Sequence, residues 1–127
     1  MSKPKSVKWI SVFYLIEGIS ALILGGLLLA GGGILATIPM LSALSVLLVP
    51  SAVFVLLIGA FNIFVYKSLS KGKNWARIYA IVISLIGVVS GIMSIATVGL
   101  LSGVLLIVHG GILYYLLIDK KTKSFFR

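Results

Sequence analysis

Residues 71–94 read KGKNWARIYAIVISLIGVVSGIMS, and this stretch decides the fold. Lys71, Lys73 and Arg77 stand beside Trp75 and Tyr79 at one end. Basic anchors paired with amphipathic aromatic rings belong at a membrane–water interface, and here an uncharged apolar run follows them. No further charge occurs until Asp119. The stretch therefore reads as a membrane-spanning helix. Within it Ala76, Ala80, Ser84, Gly87, Gly91 and Ser94 are spaced 4, 4, 3, 4 and 3. At about 100° per residue all six fall in a stripe roughly 80° wide, a nearly flat face. Helices in lipid associate through close van der Waals contact, so this small-residue stripe is the expected packing surface. The opposite face, with Ile78, Val82, Leu85, Val89 and Ile92, suits lipid or bulky neighbours.

The rest of the 127-residue chain carries the same signature. It is 61% hydrophobic and only 10% charged, with a mean hydropathy of +1.26, well outside soluble globular usage. The net charge of +9 would suit nucleic acid in a soluble chain, but its placement points elsewhere. Lys3, Lys5 and Lys8 precede the first apolar run. Lys67, Lys71, Lys73 and Arg77 share one middle segment, and Lys120, Lys121, Lys123 and Arg127 close the chain. Between the first two clusters lie 58 residues with Glu17 as their only charge; between Arg77 and Asp119 lie 41 with none. At about 20 residues per crossing each gap holds two spans, which puts the three basic clusters on one side. The positive-inside rule makes that side cytoplasmic. The sequence thus predicts a single all-α membrane domain, a four-helix bundle over residues 9–30, 47–66, 75–95 and 100–118, with both termini inside a cytoplasmic membrane. Nucleic acid is not an expected partner.

The start, MSKPKSVK followed by apolar residues, is like the charged end of a secretory signal, but residues 9–30 exceed the roughly 7 to 15 of a signal's apolar core and carry Glu17 in the middle. They read as an uncleaved first helix, with Ser11, Tyr14, Glu17, Gly18, Ala21 and Gly25 on its polar and small face. Residues 31–50, GGGILATIPMLSALSVLLVP, form an uncharged outer segment in which 40–49 read equally as interfacial, re-entrant or part of the second helix. Pro50 is expected in that helix's first turn, where a missing N–H costs least, and Ala52, Val55, Gly59, Asn62 and Tyr66 on its inward stripe. Residues 96–99 separate the third and fourth helices, a tight antiparallel hairpin. Aligning Trp9 with Trp75 pairs Lys5 with Lys71, Gly18 with Ser84, Ala21 with Gly87 and Gly25 with Gly91, a hint of a duplicated hairpin.

Glu17, Asn62, Arg77 and His109 are the candidate site residues, because polar and ionisable groups within spans merit a functional hypothesis by default. Counting about 1.5 Å per residue from the inner edge places Glu17 and His109 level with each other, Asn62 nearer that edge, and Arg77 just inside it. The group reads either as a packing and registration cluster or as a proton site. One His and one Glu fall short of the three or four convergent ligands a metal needs. With no Cys, and with serines on the packing stripe, no catalytic nucleophile stands out. No Gly-rich turn is followed by Lys-Ser or Lys-Thr as a phosphate loop requires. The expectation is of no catalytic, cofactor or metal residues. His109, followed by Gly110 and Gly111, reads as a point of close helix approach. The tail YYLLIDKKTKSFFR combines cations and aromatic rings, a pattern suited to anionic lipid headgroups as well as to ending a span.

The embedded Glu17-Gly18, the turn KGKNWAR over residues 71–77 and the ending YYLLIDKKTKSFF over 114–126 resemble small four-span membrane proteins of archaea and bacteria. The resemblance covers nearly the whole chain and implies topology and a prokaryotic membrane, not an activity. Size, four spans and a first-helix acid are also similar to the small multidrug resistance transporters. That likeness would make Glu17 a proton and cation site, but the aromatic set their third helix presents to substrate is missing beyond Tyr79. Two functions follow as expectations: a non-catalytic accessory or structural subunit of a larger membrane complex, such as a respiratory or membrane oxygenase complex, or of a homo-oligomer; and, as the alternative, a proton-coupled transporter.

Overall fold

The structure, a computed structural model, describes residues 2–127, with Val98 described by its backbone alone. It is all-helical among the described residues: α1 Lys5–Ala36, α2 Ser42–Ser70, α3 Asn74–Val98, α4 Leu100–Leu117 and a short α5 Lys120–Phe125. The first four are long and apolar enough to cross a membrane, with mean hydropathies of 2.2, 2.5, 2.4 and 2.0 over their best windows. The chain is an integral membrane protein with four candidate spans.

The helices run longer than the hydropathy pattern suggests. At about 1.5 Å per residue α1 and α2 are roughly 48 and 44 Å long, beyond the ~30 Å hydrocarbon core. α1 continues through Gly31, Gly32 and Gly33 to Ala36, and α2 starts at Ser42 rather than 47, so most of the 40–49 segment is helix. The α1–α2 connection shrinks to residues 37–41, which turn through bonds from Thr37 N–H to Ile34 O and from Leu41 N–H to Ile38 O. An apolar segment with no charge and little water has nowhere but a helix to satisfy its backbone, which overrides the glycines' weak propensity. Pro50 accordingly lies more than two turns inside α2, not in its first turn. One residue on, the Ser51 hydroxyl donates to Leu47 O at 2.7 Å, with α2 continuous through the proline. α3 likewise runs on to Val98, leaving Gly99 alone as the link to α4. Its φ of +62° is open to glycine at little cost, and its N–H caps α3 on Ile95 O.

The chain divides into two compact units. Residues 11–67 form one, the hairpin of α1 and α2. Its packing has a period of seven: Gly18 faces Ile63 and Gly59, Gly25 faces Leu56, and Gly32 faces Val49. The partners 63, 56 and 49 step back by seven as the glycines step forward, the register of an antiparallel left-handed pair. At the Gly18–Gly59 crossing the contact is between backbones, since a Cβ on Gly18 would stand 2.9 Å from Gly59 O and one on Gly59 would stand 2.9 Å from Gly18 O. Ser11, Tyr14, Ala52, Asn62 and Val65 are buried, while Ile16, Ile23, Leu27, Phe54, Leu57 and Phe64 are exposed, as lipid-facing side chains are.

Met1–Ile10 with Ser68–Arg127 form the second unit: α3, α4, α5, the start of α1 and the end of α2. α3 and α4 are antiparallel, with Gly87 against the His109 ring and Gly91 against Leu106. Ala76, Ala80, Ser84, Ser102, Ile112 and Leu116 are buried, and Ile78, Val82, Leu85, Val89 and Ile92 are exposed. Gly25 and Gly91, matched in the Trp9–Trp75 alignment, each receive a leucine at the same closeness, 2.7 Å from Leu56 Cγ and 2.8 Å from Leu106 Cγ for a Cβ built there.

Candidate functional site

The four polar residues singled out in the spans divide between the units. Glu17 and Asn62 belong to the α1–α2 hairpin, Arg77 and His109 to the other unit. Glu17 is half-buried and Asn62 buried. They precede Gly18 and Ile63, two residues in contact at the tightest crossing of α1 with α2. Glu17 and Asn62 thus each adjoin, along the chain, a residue of this close contact.

Arg77 does not reach into open lipid or water. Its Nε and Nη2 both donate to Leu116 O, at 3.1 and 2.9 Å. Leu116 is in the last turn of α4, where carbonyls lack intrahelical partners and the helix dipole is negative, so a planar cation here caps the helix. His109 is half-buried, and its Nδ1 lies 2.8 Å from Leu105 O. A carbonyl oxygen only accepts, so Nδ1 carries a proton. The close approach expected from Gly110 and Gly111 is made instead by Gly87: a Cβ there would collide with the imidazole, while nothing lies within 4 Å of one at Gly110 or Gly111. A pair of glycines on one helix marks space, but which helix fills it depends on rotation about the axis, and the flat face of α3 is the one that turns to His109. In the small-residue stripe, Ala76, Ala80, Ser84 and Gly91 are buried, and Gly87 and Ser94 half-buried. Among the described residues no three His, Asp or Glu side chains gather as metal ligands.

Hydrogen bonds between side chains join the segments that carry the basic clusters, and most of the residues involved carry no signal in isolation. Asp119 caps α5: its Oδ2 accepts from Thr122 N–H at 2.9 Å and from the Thr122 hydroxyl. With its hydrogen committed, Thr122 Oγ1 accepts from the Ser6 hydroxyl at the start of α1. Thr122 is fully buried. The Asp119 carboxyl is held below the usual carboxylate range, first by the Thr122 hydroxyl and then by its amide. Lys3 Nζ donates to Ser70 Oγ at the end of α2, at 2.9 Å. Burial, and secondarily the charge of Lys8, hold that ammonium below its usual range. The chain's last residue joins the α2–α3 turn through Arg127 N–H to Gly72 O at 2.8 Å and Asn74 N–H to Arg127 O at 2.9 Å. The start of α1, the α2–α3 turn and the tail are thus bonded into one basic layer. The expectation that the three clusters share a side rests on charge spacing; these bonds show that they also share a structure. The Asp-x-x-Thr spacing of residues 119–122 is a sequence signal that could have marked the α5 cap; the partners of Ser6 and Ser70 required the fold.

Comparison with known proteins found no matching family model, no matching curated protein and no matching solved structure.

Proposed function

We propose that the protein is a non-catalytic accessory or structural subunit of a larger complex in a prokaryotic cytoplasmic membrane, its basic layer on the cytoplasmic side against anionic lipids. The observation that carries this reading is the use made of the cations and rings inside the spans. Arg77 caps α4, and His109 bonds its own helix and fills the gap over Gly87. Both act on helix packing. Glycines on α1 and α4 that face open space point the same way. A Cβ at Gly26, Gly33, Gly103 or Gly110 would meet no atom within 4 Å, so another protein's helix can approach closely there. A respiratory or membrane oxygenase complex is the kind of assembly meant.

A second reading, proton-coupled transport, has one observation in its favour, the half-buried Glu17 beside the crossing that also carries Asn62. Glu17→Gln and Glu17→Leu separate the two. For a subunit, purification from native membranes in mild detergent brings down a defined complex with wild type and the Gln variant, and the Leu variant weakens it. Proton-driven cation uptake by wild-type protein in vesicles, abolished in the Gln variant, would overturn the subunit reading.

A further inference from the structure

The basic layer contains an open cleft of about 260 Å³ lined by Lys71, Gly72, Ser124, Phe125 and Arg127, all in one unit. Its wall is fixed backbone. Gly72 has a φ of +69° and donates its N–H to Leu69 O, and the last residues lie across it through the two bonds between Arg127 and the 72–74 turn. A Cβ at position 72 would stand 2.5 Å from Phe125 O and 3.1 Å from the Phe125 ring, so only glycine admits the tail this closely. Ser124 donates its hydroxyl to Lys121 O and so offers the cleft lone pairs alone. The donors left to face a ligand are the exposed ammonium of Lys71 and guanidinium of Arg127. No acidic side chain lines the cleft. Asp119, the acidic side chain of this unit, is engaged by Thr122, and the main-chain oxygen of Arg127 accepts from Asn74 N–H.

We propose that this cleft binds a phosphate-bearing anion, its oxygens shared between the Lys71 ammonium and the Arg127 fork. Arginine grips phosphate in a planar, bidentate fashion and lysine as a mobile point charge, so the pair covers a tetrahedral anion from two sides. The volume lies below the ~300–1,000 Å³ of sites for drug-sized ligands and fits a small headgroup. The sequence around the cleft agrees: Lys71 is four residues before Trp75, and the same unit carries exposed Tyr114 and Tyr115, aromatic rings of the kind enriched at membrane interfaces. The chemistry is common to an anionic phospholipid and to free phosphate.

The test uses full-length protein in neutral detergent, where no charged bilayer surface contributes. Native mass spectrometry follows retention of phosphatidylglycerol against phosphatidylcholine. Wild type is expected to retain phosphatidylglycerol preferentially, and K71Q/R127Q to weaken it about tenfold. K120Q/K121Q, which removes the same charge from exposed positions of α5, should change it less than twofold. Circular dichroism and gel filtration establish folding, and K71Q alone, at an exposed turn, is expected to cost about three- to fivefold should the double variant misfold. Millimolar inorganic phosphate or glycerol phosphate displacing the lipid identifies free phosphate as sufficient; lipid binding without displacement identifies the acyl-anchored headgroup as the ligand. Equal losses in the two double variants, or equal retention of both lipids, would overturn the proposal. Neither the orientation of the protein nor its membership of a complex enters this measurement, so those readings stand or fall apart from it.

Discussion

A cation within a membrane helix is tolerated where it has a defined partner, and Arg77 illustrates the rule at the scale of one side chain. Its two donors meet one carbonyl of the last turn of α4, joining the start of α3 to the end of α4. Charge-assisted bonds of this kind contribute about 1.5–3 kcal/mol. Arg77 is only half-buried, so the lower part of that range applies. Arg77→Leu is expected to destabilise by about 1–2 kcal/mol in reversible unfolding from mixed micelles, and Arg77→Lys by less, since it keeps the charge without the fork. The Asp119–Thr122–Ser6 chain predicts an acid response. Because the folded Asp119 carboxyl lies below its unfolded value near 3.8, its contribution is present above that pH and is lost as pH falls through the lower folded value. Amide exchange at Thr122 should therefore accelerate below about pH 4 in wild type beyond the intrinsic pH trend. In Asp119→Asn it should show no such step. An identical profile in both would remove Asp119 from the account.

At the scale of helices, glycine placement decides which faces meet. Gly18, Gly25 and Gly32 admit α2, and Gly87 and Gly91 admit His109 and Leu106. Gly25→Leu or Gly91→Leu should each cost about 1–3 kcal/mol through overpacking. Gly26→Leu and Gly103→Leu, where a Cβ meets nothing, should stay within about 0.5 kcal/mol. Equal effects at all four would mean that the hairpins do not pack through these glycines. Much of this was legible in the sequence: the stripe on α3 was visible because one periodic pattern stood out of an otherwise featureless span. Helix ends were not, because hydropathy marks where a span can lie in lipid, whereas α1 and α2 continue past it with no charge or polar cap to stop them. Pro50 misled for the same reason, its proper context being the helix's true start at Ser42. Gly18 and Gly25 stand out on the small face of α1, but the continuation of their seven-residue register to Gly32 is masked by Gly26, Gly31 and Gly33, which face open space. Only the rotation of α1 against α2 distinguishes the two sets.

For the whole molecule the uneven placement of charge along the chain has a consequence. The basic clusters at both termini and after α2 are bonded into one layer by Lys3–Ser70, Ser6–Thr122 and Arg127–Gly72, while the α1–α2 connection, residues 37–41, and the α3–α4 link, Gly99, carry no charge. A layer carrying nearly all the protein's positive charge should stay on the side where synthesis leaves it, in contact with the cytoplasm. The native chain has no cysteine, so single introduced thiols report orientation without background. The decisive measurement is labelling of Met40→Cys, Lys73→Cys and Lys121→Cys in intact and in permeabilised cells with a membrane-impermeant maleimide; all three native residues are exposed. The account predicts that Met40→Cys labels in intact cells, whereas Lys73→Cys and Lys121→Cys label only after permeabilisation. Labelling of Lys73→Cys and Lys121→Cys on opposite sides, or of Met40→Cys on the same side as either, would contradict it.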